Sequence, residues 1–309
     1  MTLHMDASID GAQDNRRDSM ARLRQTAAYA AERLAAKREA DTALPVQLFL
    51  PGLEDFMRAM PNHIARSSLF APVARGRKPL HKDALLVSRG DAIISFSGEQ
   101  LDESQADVWM QAMHEASKAP LGVPVTINRR SFLKAIGRHT GSSEYDWLHR
   151  TMKALSFAML SIEVRNGERV KLQIGTTPRS RVLHLIDGFD LDPETDEYML
   201  RIDPRWHGMY GNREWAMVDW AKRMQIGSGQ DMAKALQRLI ATSNDATQRF
   251  ELSWLKAKLG YMSPMRKFKK SLMGAMLELE RLEIVAGTRI ELSKRGKEQI
   301  SWNKLNHAG

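Results

Sequence analysis

Apolar positions recur at helical spacing most plainly between Ser253 and Arg281. At about 100° per residue from Met265, the side chains of Phe268, Leu272, Met276 and Leu279 share one side of a helix, and Arg266, Lys267 and Lys270 share the other. Ser263-Pro264 in front predicts a helix start, with a hydroxyl able to cap and a ring whose φ is already helical. A shorter helix from Ser253 and a turn precede it. One face for a core and one basic face suit a DNA recognition helix. On this segment alone, a solvated basic face on an ordinary amphipathic helix fits as well.

The same arrangement occurs earlier. Ser131-Phe132-Leu133-Lys134-Ala135 followed by Gly137 is repeated as Ser253-Trp254-Leu255-Lys256-Ala257 followed by Gly260. After the first copy the spacing predicts a helix from Ser142 to Leu155. Leu148, Met152 and Leu155 lie inside, and His149, Arg150 and Lys153 outside. Ser143 and Asp146 are expected as its capping pair, with Asp146 placed to orient Arg150. Each copy follows a helix. The first is Asp102–Lys118, with Asp102 as cap and Gln105 at the capping-box position, and the second is Asp231–Ser243. Alternating segments come after each copy. Ala158–Val164 and Val170–Ile174 are expected to turn at Asn166-Gly167; Glu283–Ala286 and Arg289–Leu292 are expected to turn at Gly287-Thr288. Helix, helix, turn, helix, hairpin predicts an α+β chain of tandem winged-helix domains, each a helix-turn-helix plus a β-hairpin wing.

The rest of the pattern is weaker. Residues 1–43 are polar and read as a disordered or frayed helical N-terminal tail, with a thin stripe of Leu23, Ala27, Ala30 and Leu34. Leu44 to Leu53 is apolar, and Pro45 and Pro51 keep it extended, so it either docks in a partner's groove or folds back on its own domain. Phe56–Pro79 reads as an irregular arm, and Leu80–Phe96 as a hairpin around Arg89-Gly90-Asp91. Val182–Ile202 predicts two strands about a solvated acidic turn. Trp206, Trp215 and Trp220 are expected in packing. The domains expected are a tail at 1–43, an arm with a peptide motif at 44–79, a first winged helix at 80–225 and a second at 226–309.

Charge strengthens the DNA reading. The net charge of +9 is carried by two stretches: residues 126–155 hold six Lys/Arg against two Asp/Glu, and residues 253–281 hold seven against two. The remaining residues sum to zero. Matched concentration in both copies favours nucleic acid over an adaptor that binds acidic proteins. Candidate DNA-contacting residues are Arg138, His149, Arg150 and Lys153 in the first copy and Arg266, Lys267, Lys269 and Lys270 in the second. The chain has 309 residues and no cysteine, which excludes disulfides, thiolate metal sites and cysteine nucleophiles and suits the cytoplasm. There is no Walker-type phosphate loop, no zinc-ligand spacing among the histidines and no G-x-S-x-G elbow. No catalytic residue, cofactor or metal is therefore expected.

The chain resembles the TrfA family of plasmid replication initiators. The resemblance rests on Met57-Arg58-Ala59-Met60-Pro61-Asn62, Ala65-Arg66-Ser67, Leu69-Phe70, Ser97 to Leu101, Val108-Trp109 with Gln111, Pro120-Leu121-Gly122 with Pro124-Val125-Thr126, and the order of the two repeats. It implies an initiator that binds repeated sites (iterons) in double-stranded origin DNA. Such a protein helps open an adjacent AT-rich region and recruits the host initiator, the replicative helicase and the sliding clamp. It also implies a monomer on DNA and an inactive dimer. The family carries a clamp-binding motif of the form Gln-Leu-x-Leu-Phe before the Met57 block. Here Gln47-Leu48-Phe49-Leu50 keeps the first four positions, Pro51 replaces the phenylalanine, and Leu53 offers a last anchor. The clamp-binding candidates are thus Gln47, Leu48, Leu50 and Leu53. A winged-helix transcriptional repressor would share the fold and differ in output.

Overall fold

The computed structural model describes residues 25–33, 56–73, 76, 78–88, 90–120, 122–177, 180–210 and 214–305. The chain divides into two compact units, Met1–Val46 and Gln47–Gly309. In the first unit the described residues form a helix, α1, over 25–33, with every side chain exposed. The clamp-binding candidates Gln47, Leu48, Leu50 and Leu53 lie outside the described residues.

The second unit begins with β1 (Met57–Pro61) and α2 (Asn62–Arg66). Next come β2 (Leu80–Leu85), β3 (Ala92–Glu99) and α3 (Glu103–Ala116). The expected hairpin at 80–96 and the expected capping box are both present: Asp102 accepts from the Gln105 N–H at 2.9 Å, and Gln105 Oε1 accepts from the Asp102 N–H at 3.0 Å. The chain continues through β4 (Val125–Asn128), α4 (Arg129–Ala135), α5 (Ser142–Phe157), β5 (Met159–Asn166), β6 (Arg169–Ile174), β7 (Leu183–His184), β8 (Gly188–Asp192) and β9 (Glu197–Arg201). It then forms α6 (Trp206–Tyr210), β10 (Trp215–Asp219), α7 (Trp220–Gln225) and α8 (Asp231–Ala241). Last are β11 (Thr247–Glu251), α9 (Leu252–Lys258), α10 (Met265–Arg281), β12 (Val285–Leu292) and β13 (Glu298–Lys304).

Two apolar cores form within this unit. The first gathers around Trp109, Trp206, Phe70, Leu148 and Met152. Trp109 donates to Leu185 O at 3.0 Å and Trp206 to His184 O at 2.9 Å, so both indoles are buried with their N–H groups satisfied. The second core gathers around Leu236, Leu255, Phe268, Leu272, Met276 and Trp302. Each large apolar side chain taken from water contributes roughly 1.5–3 kcal/mol. The inner face expected of α10 is therefore its core face.

The irregular arm expected at 56–79 is in fact partly core. β1 pairs antiparallel with β10, Met57 against Asp219 and Pro61 against Trp215. Four of its five residues are buried, which removes the alternation that marks a half-exposed strand. Arg58, almost wholly buried, donates to Gln111 Oε1 at 2.9 and 2.8 Å and lies 4.9 Å from the centre of the Trp220 ring. Trp206 and Trp220 are packed as expected.

Two caps differ from expectation. α5 starts at Gly141 with no side-chain cap, so Ser143 and Asp146 do not form a capping pair, and no ion pair joins Asp146 to Arg150 among the described residues. Pro264, not Ser263, is the N-cap of α10, and no side chain caps that helix.

Of the two hairpin expectations, the second changes in its turn and the first only in the sheet it joins. Gly287-Thr288 is no turn. β12 runs through it, and Gly287, at φ +67°, supports a bulge between Ala286 and Arg289. The reversal comes at Ser293–Lys297, closed by the Ser293 N–H on Lys297 O at 2.8 Å, and β13 returns beside β12. In the first copy the hairpin after α5 exists and turns at Gly167, as expected. It joins a different sheet, however, ordered β2-β3-β5-β6 with β7 on β5.

Candidate nucleic-acid interface

The second copy is built on a three-stranded sheet ordered β11-β13-β12. β11 runs into α9, whose last turn is followed by Gly260 at φ +60° and a short connection to α10. Phe268, Leu272, Met276 and Leu279 are fully buried, which fixes the roll of α10 about its axis. The opposite side carries Arg266, Lys267 and Lys270, all exposed and without an ion pair among the described residues. No acidic residue lies in the first turn, so the helix dipole adds to their positive field. Lys269 is different: its ammonium is paired with Glu298 on β13, so it ties helix to hairpin. At the hairpin tip Lys294 and Arg295 are exposed on the same cationic element.

In the first copy, Asn128 caps α4 by accepting from the Ser131 N–H at 3.1 Å. Gly137, at φ +71°, begins the connection to α5. Leu148, Met152 and Leu155 are buried, and Arg150 and Lys153 point out, as the spacing predicts. Neither makes an ion pair among the described residues. Arg138 is committed within the protein: its Nε donates to Glu144 at 2.6 Å and its guanidinium lies 3.5 Å from the Trp147 ring centre. His149 is half-buried against the Phe189 ring (5.4 Å) and the Tyr198 hydroxyl (3.2 Å). Burial, then Lys153 and Arg129, hold its imidazole below the ordinary value. Its ring is engaged within the fold, between α5 and the β8–β9 hairpin.

The sequence pattern misses β4, β11 and β13, which frame the helix pairs, whereas a strand pair expected within Val182–Ile202 is present as β8 and β9. β4 pairs with β9, giving a sheet ordered β4-β9-β8, and β11 pairs with β13. In each copy, then, the strand before the short helix pairs with the second strand of a hairpin. By this pairing the first copy's counterpart of β12–β13 is β8–β9, not β5–β6. Arg129, which opens α4, is likewise absent from the candidates, although it forms an ion pair with Asp196 at 2.9 Å. A signal for β11 exists in Gln248 and Phe250, which point inward. It is masked because one of the two is a glutamine, held by Ile240 O at 3.0 Å and Trp302 at 3.2 Å. Among the described residues no group of three His, Asp or Glu could hold a metal ion.

No model of a known protein family matches the chain. A curated relative, the plasmid replication initiator protein TrfA of Escherichia coli, is 23% identical over 175 residues, which is 56% of this chain and 44% of the relative. The chain thus spans less than half the length of that relative, and the resemblance drawn from its sequence is shown. Two crystal structures of domains 2 and 3 of RctB, one from selenomethionine derivatives, align with TM-scores of 0.46 and 0.47. Their identities are 12% and 10%, and the alignments cover 77% and 76% of this chain and 95% of each of theirs.

Proposed function

We propose that the chain is a plasmid replication initiator that binds repeated sites in double-stranded origin DNA through two winged-helix halves, residues 56–225 and 226–305. The observation that carries this is α10. Its N-terminal half presents Arg266, Lys267 and Lys270 without ion pairs among the described residues, on a helix whose opposite face is locked in a core. Lys294 and Arg295 stand on the neighbouring hairpin. A helix of this kind enters the major groove while the wing lies along the backbone. Arginine suits bidentate reading of guanine, and the lysines neutralise phosphate. In the first half Arg150 and Lys153 take the corresponding positions. The similarity to TrfA supports replication initiation over repression as the output.

On this reading the protein helps open an AT-rich region beside its sites, recruits the host initiator and helicase, and engages the sliding clamp through Gln47, Leu48, Leu50 and Leu53. It acts as a monomer on DNA, is held inactive as a dimer, and has no catalytic step of its own. Selection of bound duplexes from a random pool, followed by footprinting on DNA flanking the gene, tests it. Direct repeats beside an AT-rich tract are expected. A lone operator would favour repression, and no enrichment would end the DNA reading.

A further inference from the structure

The two three-stranded sheets share one pairing scheme and carry opposite charge. Hairpin β12–β13, residues 285–304, holds five Lys/Arg against two Glu. Hairpin β8–β9, residues 188–201, holds five Asp/Glu against one Arg. The corner where each hairpin meets the start of its short helix is closed by one ion pair. In the second copy Lys297 of the hairpin reaches Glu251, the N-cap of α9, at 2.9 Å. In the first, Asp196 of the hairpin reaches Arg129, the first residue of α4, at 2.9 Å. The polarity is reversed. Arg129 is also drawn inward: its side chain is 12% exposed, and its guanidinium lies 4.4 Å from the Tyr145 ring centre and 5.6 Å from that of Tyr198. Tyr198 and Phe189 seat the hairpin on His149 of α5, and Asp190 shares a groove with Lys153.

We propose that the β8–β9 hairpin is an internal electrostatic screen that takes the place of a phosphate-contacting wing, holds Arg129 off the DNA and weakens the first half's non-specific attraction to the duplex. The proposal rests on the DNA-binding function above and divides the labour within it. α10 and β12–β13 supply the phosphate contacts, and the first half adds selectivity at little electrostatic cost to discrimination. The physical reason is direct. Duplex DNA presents dense negative charge, and each cation withheld removes one counterion release from binding.

The test measures binding of the full chain to a random-sequence duplex across a salt series. Asp196→Asn frees Arg129 and keeps a residue that tolerates the positive φ of +58° at this turn. Glu194→Gln removes an exposed charge near the tip whose side chain has no partner among the described residues. Asp196→Asn with Glu194→Gln is expected to tighten random-duplex binding on the order of 3- to 10-fold at ~0.1 M salt, with a log–log salt slope steeper by about one. Glu194→Gln alone should move affinity the same way by less. Unchanged or weaker binding in both variants, at an unchanged slope, overturns the screen while leaving DNA binding intact. Failure of the parent to bind any duplex overturns the underlying function as well.

Discussion

Arg238 on α8 grips both carboxylate oxygens of Glu103 on α3, Nε to Oε2 at 3.1 Å and Nη2 to Oε1, and both side chains are fully buried. The two helices belong to different cores, so this pair stands where the halves of the second unit meet. Arg223 joins from α7, 3.0 Å from Glu103 and 2.5 Å from Asp107, and Lys234 meets the other Asp107 oxygen at 2.6 Å. Burial alone would raise the Glu103 carboxyl; Arg238 and Arg223 outweigh it and hold it below its ordinary value.

Removing the acid leaves Arg238 buried without a carboxylate and Arg223 with Asp107 alone. Glu103→Gln is therefore expected to cost about 3–5 kcal/mol of stability, read as a lower midpoint in denaturant. A midpoint equal to that of the parent would mean that the cluster contributes little.

Lys258 lies beside this cluster, fully buried, and its Nζ has no hydrogen-bond partner among the described residues. Burial, and then Arg238, bring its ammonium down to about 7. In the unfolded chain the amine titrates near 10.4. Between about 7 and 10 the unfolded state therefore binds more protons, and stability rises with pH. Below about 7 both states are protonated, and the burial cost is paid in full. Lys258→Met should stabilise the protein by about 1–4 kcal/mol below pH 7, with a gain that shrinks toward pH 10. Unfolding curves at pH 6 and pH 9 with equal gains would contradict this.

Arg266 and Lys267 are neighbours on the exposed face of α10, yet different roles are expected of them. Arg266→Ala should cost ~1–3 kcal/mol on the cognate site and much less on random DNA. Lys267→Ala should weaken both about equally and reduce the salt slope by about one. Titrations of both duplexes decide it; equal losses for Arg266→Ala would make it another phosphate contact.

For the peptide at 47–53, the double variant Gln47→Ala, Leu48→Ala should lower affinity for a bacterial sliding clamp on the order of tenfold or more, as loss of anchor residues does. Unchanged affinity in a direct binding assay would remove clamp recruitment from the function.

What could be read from the sequence was local. The Asp102–Gln105 box, the turn at Gly167 and the faces of α5 and α10 depend on residues a few positions apart, and they are where the spacing puts them. What escaped depends on pairing across the chain. β4 is a four-residue strand whose partner begins at Glu197. Gly287 carries the composition of a turn, but pairing with β13 on both sides of it makes it a bulge within β12. The cluster around Glu103 was hidden for another reason: acids and bases on separate helices look like solvated surface until packing brings them together. Of the candidate contacts, Arg150, Lys153, Arg266, Lys267 and Lys270 are available to a ligand. Arg138, His149 and Lys269 are engaged within the fold, since a linear pattern gives the side of a helix and not the neighbour standing on it.

The strand Met57–Pro61 has a consequence for how the molecule is made. It is synthesised long before β10, its partner, so the first half cannot close until Trp215–Asp219 has emerged, and α7 follows at once. Non-local closure of this kind slows folding. It also makes the Met57 block the clasp of a loop holding every element from α2 to α6. A fragment begun at Leu80 would leave β10 without β1, its one partner strand among the described residues, and strip Arg58 from the ring of Trp220.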